Sequence, residues 1–214
     1  TRTSSSAASD VYKRQDTWTI LPSGIPGTGQ AQRTELAISS ADPNYIYAIV
    51  CNLEGGLFGF YRSTNAGASW NLMSNSPNIL HWSDGTGSNN GQGWYDLAIA
   101  VDPNNRDRVY IGGINVWGSD DGGATWDGMT YWRNTFGKSI HADQHFFAWQ
   151  PGTDKLFVCN DGGLYVTADP QIGSWNDANN TPGYEWPTEW ERISGKMQVN
   201  SFYRIGTSAA NPDY

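Results

Sequence analysis

The chain predicts an all-β fold, a β-propeller fragment of about three four-stranded blades plus the start of a fourth, and three observations carry that reading. An eight-residue pattern closes two successive units, at 63–70 and 119–126. A frame of short strand-like runs and Asp-Pro-Asn turns recurs, with its prolines at Pro43 and Pro103. The 214 residues include 25 Gly, 11 Trp and 11 Tyr, with 14% aromatic and only 16% charged residues, so there is apolar mass to bury and many tight turns to make.

The first unit runs through Glu35-Leu36-Ala37-Ile38, Asp42-Pro43-Asn44, Tyr45 to Val50 and Phe60-Tyr61-Arg62, and closes on 63–70. The second runs through Asp96-Leu97-Ala98-Ile99, Asp102-Pro103-Asn104 and Arg108 to Ile111, and closes on 119–126. A third begins at His145-Phe146-Phe147-Ala148-Trp149 and passes Gln150-Pro151-Gly152, Lys155 to Val158 and Gly163 to Val166. A fourth opens at Phe202-Tyr203-Arg204-Ile205. Such a unit cannot bury both faces alone; stacking units around an axis does so and protects their edges.

The closing pattern is Ser-x-Asp-x-Gly-x-x-Trp, the Asp-box. Ser119, Asp121, Gly123 and Trp126 match every defined position, and Ser63, Asn65, Gly67 and Trp70 match with Asn in place of Asp. A third copy at Thr167-Ala168-Asp169 is interrupted, because Gly173 and Trp175 are displaced. The chemistry is local: the Asp oxygen accepts turn N–H groups, Gly takes a positive φ, and Trp packs over the hairpin. These residues are expected to be architectural, since repeated turns suit a scaffold better than one active site.

Composition excludes several partners. The formal charge is −8 with no basic run, which disfavours nucleic acid and anionic membranes. No stretch approaches the roughly 18 apolar residues of a membrane span, so no membrane insertion is expected. Cys51 and Cys159 fall at matching places in different repeats and are expected as buried free thiols. Residues 5–15, Ser-Ser-Ala-Ala-Ser-Asp-Val-Tyr-Lys-Arg-Gln, resemble a translated sequencing adapter, so 1–15 is read as a non-native tail and 16–214 as an incomplete propeller cut at its C-terminus.

Beyond the Asp-boxes, Gly93 to Pro103, His141-Ala142-Asp143-Gln144-His145 and Asn160-Asp161-Gly162-Gly163-Leu164-Tyr165 resemble the sortilin-like, Asp-box propellers of the sialidase superfamily secreted by Bacteroidetes. The resemblance implies an extracellular or cell-surface protein, further blades downstream and a type IX sorting domain. A bacterial sialidase would carry Phe-Arg-Ile-Pro; the nearest string here is Tyr203-Arg204-Ile205-Gly206, which disfavours that activity. Resemblance to xyloglucanases covers the Asp-boxes and the repeat frame.

Propeller connectivity places the Asp-boxes on one face and the long connections 71–93 and 127–144 on the other, where binding residues concentrate. Trp82, Trp94, Tyr95 and Trp132 on that face are candidate sugar-stacking rings, with core packing or loop anchoring as the alternative. His141, Asp143 and His145 alternate and would share one strand face. Over four residues a strand advances about 13 Å, so one ion could take two of the three, and the preferred reading is ligand contact, with a structural hydrogen-bond network as the other. No metal or cofactor is expected. Two functions stay open: a module binding glycan or protein, or a glycoside hydrolase with Glu35 and Asp96 as its candidate catalytic carboxylates.

Overall fold

The structure is a computed structural model and describes residues 24–27, 29–83, 85, 87–133, 140–170, 172 and 188–195. The proposed tail at 1–15 and the start of a fourth blade at 202–214 lie outside these residues.

Twelve strands form three four-stranded antiparallel sheets, and no helix occurs among the described residues. The first holds β1 (Ala31–Ile38), β2 (Ile46–Asn52), β3 (Leu57–Ser63) and β4 (Asn71–Ser74) in that order. The second holds β5 (Ala98–Val101), β6 (Val109–Gly112), β7 (Val116–Ser119) and β8 (Asp127–Gly128). The third holds β9 (Gln144–Trp149), β10 (Leu156–Asn160), β11 (Gly163–Thr167) and β12 (Glu191–Arg192). This is an all-β propeller arc, one sheet per blade.

Neighbouring blades stack face to face. Tyr47, Ile49 and Phe60 of the first blade pack against Val109, Ile111 and Trp117 of the second. The opposite face of the second blade, with Ala98, Ala100 and Tyr110, packs against Phe147, Leu156 and Val158 of the third. Strands β2 and β6 are buried on both faces, so they read as unbroken apolar runs rather than alternating ones.

The Asp-box hairpins join the third and fourth strands of their blades. Ser119 Oγ donates to Asp121 Oδ1 (2.8 Å) and accepts from Gly123 N (2.8 Å), while Asp121 Oδ1 accepts from Ala124 N and Thr125 N, both at 2.9 Å. Asn65 reproduces the arrangement with the oxygen it retains: Ser63 Oγ donates to Asn65 Oδ1 (2.9 Å), which accepts from Ser69 N (2.9 Å). Burial pushes the Asp121 carboxyl up, but the Thr125 hydroxyl and amide, with Ser119 and Ala124, outweigh it and hold the group below the ordinary carboxylate range. Gly123 has φ 88°, and a Cβ there would lie 2.2 Å from the Phe60 ring of the preceding blade. Trp126 meets that ring edge-on at 4.9 Å and donates Nε1–H to Ser74 Oγ (2.9 Å). The second box therefore closes its own hairpin and also fills the seam between two blades.

Apolar side chains lie open at both ends of the arc. Leu36 and Ile38, 58% and 63% exposed, alternate on the side of β1 turned from the second blade, and Phe146 is exposed on the far side of β9. Exposed apolar sheet faces favour association. The purified chain is expected to self-associate with rising concentration, and Leu36→Lys with Ile38→Lys to reduce this in sedimentation velocity; a monodisperse monomer would contradict it.

The seam itself can be tested by substitution. Trp126→Ala should cost about 3–5 kcal/mol by removing a buried ring. Asp121→Asn should cost about 1 kcal/mol or less, since Asn65 already performs the same role. Chemical denaturation of the two variants should separate them by several-fold in stability loss.

Candidate functional site

The face opposite the Asp-boxes is built by three short turns and the connections that cross them. The turn between β2 and β3 receives the first connection: Gly93 N donates to Gly55 O (2.9 Å) and Gly91 N to Glu54 O (3.1 Å). Gly55 has φ 86°, and a Cβ there would sit 2.2 Å from Gly91 O. The turn between β6 and β7 receives the second connection, with Gln144 N donating to Gly113 O (2.8 Å) and Asp143 N to Ile114 O (3.3 Å). Gln144 is buried and donates Nε2–H to His141 O (2.7 Å), and Asn160 Nδ2 donates to the same carbonyl (3.0 Å). The main chain at His141 is thus held from both β9 and β10.

A cavity of about 490 Å³ opens on this face, lined by Trp82, Gln92, Ile114, Trp132, His141, Ala142 and Asp143. Trp82 and Trp132 are 39% and 40% exposed, and Trp132 Nε1–H donates to Trp82 O (2.6 Å), which ties the two connections together. The Arg133 guanidinium lies 5.2 Å from the centre of the Trp132 ring. Gln92 Nε2 donates to Asp143 Oδ1 (3.0 Å).

Asp96 lies behind this wall and is 0% exposed. Neither of its carboxyl oxygens meets a hydrogen-bond partner at ordinary distance; its own amide and the Gln92 side chain stand near enough to pull the carboxyl down slightly. The polar groups beside it are the Asp143 carboxyl and the Gln92 side chain. Burial first, and then the Asp143 charge, push its carboxyl up to about 9. Asp143 itself takes φ 67°, a left-handed conformation that Asp adopts more readily than most residues.

A second polar cluster adjoins the first. Asp161, in the turn between β10 and β11, accepts from Tyr95 OH (3.0 Å to Oδ2) and lies 2.7 Å from His145 Nε2. Tyr95 and His145 meet edge-on, their ring centres 5.0 Å apart.

The residues singled out from sequence are therefore divided. Trp82, Trp132, His141 and Asp143 line one cavity. Tyr95 and His145 belong to the Asp161 cluster, while exposed Trp94 packs beside Gly55 on the first blade's turn. His141 and Asp143 precede β9, and the positive φ at Asp143 breaks the extended alternation expected over 141–145, so the three side chains do not share one strand face. Glu35 lies within β1, and its carboxylate accepts from Arg33 Nη2 (2.9 Å) and Nε (3.1 Å). Arg33 also donates to Tyr95 O (2.8 Å) and Leu97 O (3.1 Å), clamping the backbone on either side of Asp96. The carboxyl beside Asp96 is that of Asp143. Among the described residues no group of three or more His, Cys, Asp or Glu is placed to hold a metal ion.

Sequence reading passed over Gln92 and Asp161. Gln92 sits in a Gly/Ser/Asn-rich tract with no pattern of its own, and Asp161 reads as one residue of an Asn-Asp-Gly-Gly turn. Cys51 and Cys159 are free, the first buried and the second half-buried on β10.

Fold and site together define the class: a β-propeller arc whose connections build a polar, aromatic-walled cavity on one face. No protein-family model matches the chain, and no curated protein sequence matches it. Among solved structures it is similar to the GH74 xyloglucanase from Xanthomonas campestris, at 18% identity and a TM-score of 0.52, over 86% of this chain and 27% of that one. It also matches a GH74 enzyme from Niastella koreensis (17% identity, TM-score 0.44, 73% of this chain and 20% of that one) and YCF48 from Cyanidioschyzon merolae (14%, 0.41, 69% and 37%). The chain thus spans well under half the length of each, and the likeness to the xyloglucanase establishes the propeller fold.

The Arg33 clamp yields a prediction. Arg33→Ala should destabilise the fold by about 1–3 kcal/mol, because it leaves two carbonyls and a carboxylate without their charged donor. Hydrogen exchange should quicken at 95–97 and stay unchanged at 119–126; Arg33→Lys should restore little, lacking the planar fork.

Proposed function

We propose that this chain is part of a secreted or cell-surface propeller that binds carbohydrate in the cavity its two long connections form over the second blade. The observation that supports this best is the cavity wall. Two half-exposed indoles, Trp82 and Trp132, stand beside hydrogen-bonding groups from Gln92, His141 and Asp143. Sugar rings stack their C–H faces on indoles, and their hydroxyls need donors and acceptors of fixed direction. The volume of about 490 Å³ suits one or two sugar residues rather than a folded partner. The extracellular setting rests on the resemblance to secreted Asp-box propellers. Connections that converge from separate blades would give an incomplete arc the same local cavity as a closed ring.

A glycoside hydrolase is the second reading, with Glu35 and Asp96 as its carboxylate pair. What supports it is that burial pushes the Asp96 carboxyl up, the direction a general acid needs. It requires more rearrangement, because Asp96 is sealed from the cavity and Glu35 is engaged by Arg33.

The test is a panel of neutral plant and microbial oligosaccharides and basic peptides, measured by calorimetry with product analysis. Trp82→Ala and Trp132→Ala should each weaken glycan binding about tenfold, the scale of one lost stacking contact. Salt should change that binding little, because screening acts on charged partners. Binding only to basic peptides, weakening with salt, would replace carbohydrate by a protein ligand. Glycan cleavage lost in Asp96→Asn would favour the hydrolase.

A further inference from the structure

We infer that Asp96 and Asp143 form a carboxyl pair sharing one proton, in which buried Asp96 is the neutral donor and Asp143 the fixed acceptor for paired hydroxyls of a ligand in the cavity. The inference rests on the carbohydrate reading for its ligand and on geometry for the pair. Asp96 is fully buried, and neither of its oxygens meets a hydrogen-bond partner at ordinary distance. An ionised carboxylate in that position would be costly, and a protonated one needs an acceptor. Asp96 N donates to Gln92 O (3.1 Å) and the Gln92 side chain reaches Asp143, which makes the Asp143 carboxyl the neighbouring acceptor. Asp143 Oδ1 already receives Gln92 Nε2–H at 3.0 Å. With Gln92 and Asp96 both donating to it, the Asp143 carboxylate is held from two sides while its residue lines the cavity.

The other charged or titratable groups around Asp96 do not compensate its charge. Arg33, from β1, is committed to Glu35 and to the carbonyls of Tyr95 and Leu97. Cys51, from β2, is a neutral thiol, pushed up to about 11 mainly by burial, with Asp96 among the lesser causes. Tyr95, the preceding residue, gives its hydroxyl to Asp161, and His145, two residues beyond Asp143, turns to the same carboxylate. The proton on Asp96 therefore stays within the pair.

This arrangement makes Asp96 a positioning residue with a distinctive pH signature. In the unfolded chain an Asp titrates near about 4, whereas folded Asp96 holds its proton up to about 9. A folded-state value raised in this way means stability present below the unfolded value and lost progressively as pH rises toward the folded one. Asn at position 96 is neutral at every pH and still donates through its amide.

The experiment compares the full chain with Asp96→Asn, Asp96→Leu and Asp143→Asn, using melting temperature against pH, infrared spectra and cellohexaose binding. The parent should show a protonated-carboxyl band at pH 7 that disappears above pH about 9 and is absent in Asp96→Asn. The melting temperature of the parent should fall between about pH 5 and 9, with this slope flattened in Asp96→Asn. Cellohexaose affinity at pH 7 should stay within about threefold in Asp96→Asn and drop more than about tenfold in Asp143→Asn and Asp96→Leu. Absence of the band at pH 7, or an equal loss of affinity in Asp96→Asn and Asp143→Asn, would overturn the pair. So would stabilisation by Ca²⁺ that Asp96→Asn abolishes, since the two carboxyls would then be an ion site. Failure of the carbohydrate reading is separately visible: the parent then binds neither cellohexaose nor any other neutral oligosaccharide, while the band and the pH slope still decide the pair.

Discussion

A four-stranded blade has two apolar faces and no core of its own, and every other feature of the chain depends on burying both faces against neighbours. The second strand of each of the first two blades bears that constraint most directly. Tyr47 in β2 and Tyr110 in β6 are fully buried, so each phenol needs a partner inside the protein. Each finds it in the next blade or its approach: Tyr47 OH donates to Arg106 O (2.7 Å) and Tyr110 OH to Pro170 O (2.8 Å). Burial pushes the Tyr47 hydroxyl up to about 12, so it remains a donor at any physiological pH. Both bonds cross from one blade to the next, although the acceptors differ in place: Arg106 precedes β6 and Pro170 follows β11.

That seam is closed at the periphery by the Asp-box. Ser, Asp and Gly act within eight residues, but Trp126 and Gly123 act across the gap on Phe60. The motif therefore couples a local turn to blade stacking. The first copy turns its Trp70 to another use, packing with Ala48, Val50 and Tyr61 on the side of the first blade away from the second.

The difference between local and distant contacts also explains what could be read in advance. The blades, the Asp-boxes and the division into two faces were legible because each is written within a few residues: short apolar runs between Asp-Pro-Asn turns, a Ser-x-Asp-x-Gly-x-x-Trp string, a long connection. The partner of Asp96 was not, because Asp96 and Asp143 belong to the leads into different blades. Glu35 and Asp96 look equivalent in the repeat frame, but the first hairpin closes at Ser39 (to Tyr45 O) and the second at Asp102 (to Arg108 O), so Glu35 falls inside β1 while Asp96, farther from its turn, stays ahead of β5. The alternation of His141, Asp143 and His145 suggested a strand, and a single positive φ at Asp143 sends the three side chains to different partners.

The two faces consequently differ in how their polar groups are satisfied. On the Asp-box face the principal bonds close within four residues, so each hairpin is complete in itself. On the other face the bonds cross blades: Arg33 to Tyr95 and Leu97, Gln92 to Asp143, Tyr95 to Asp161. A small change in blade rotation would leave the hairpins intact and would displace Asp143 from Gln92 and Trp132 from Trp82. Hairpin closure and site geometry are thereby assigned to different sets of hydrogen bonds. The cavity can vary in its loops without altering the hairpins that keep the strands paired, and its geometry is only as exact as the packing of Tyr47 and Tyr110 behind it.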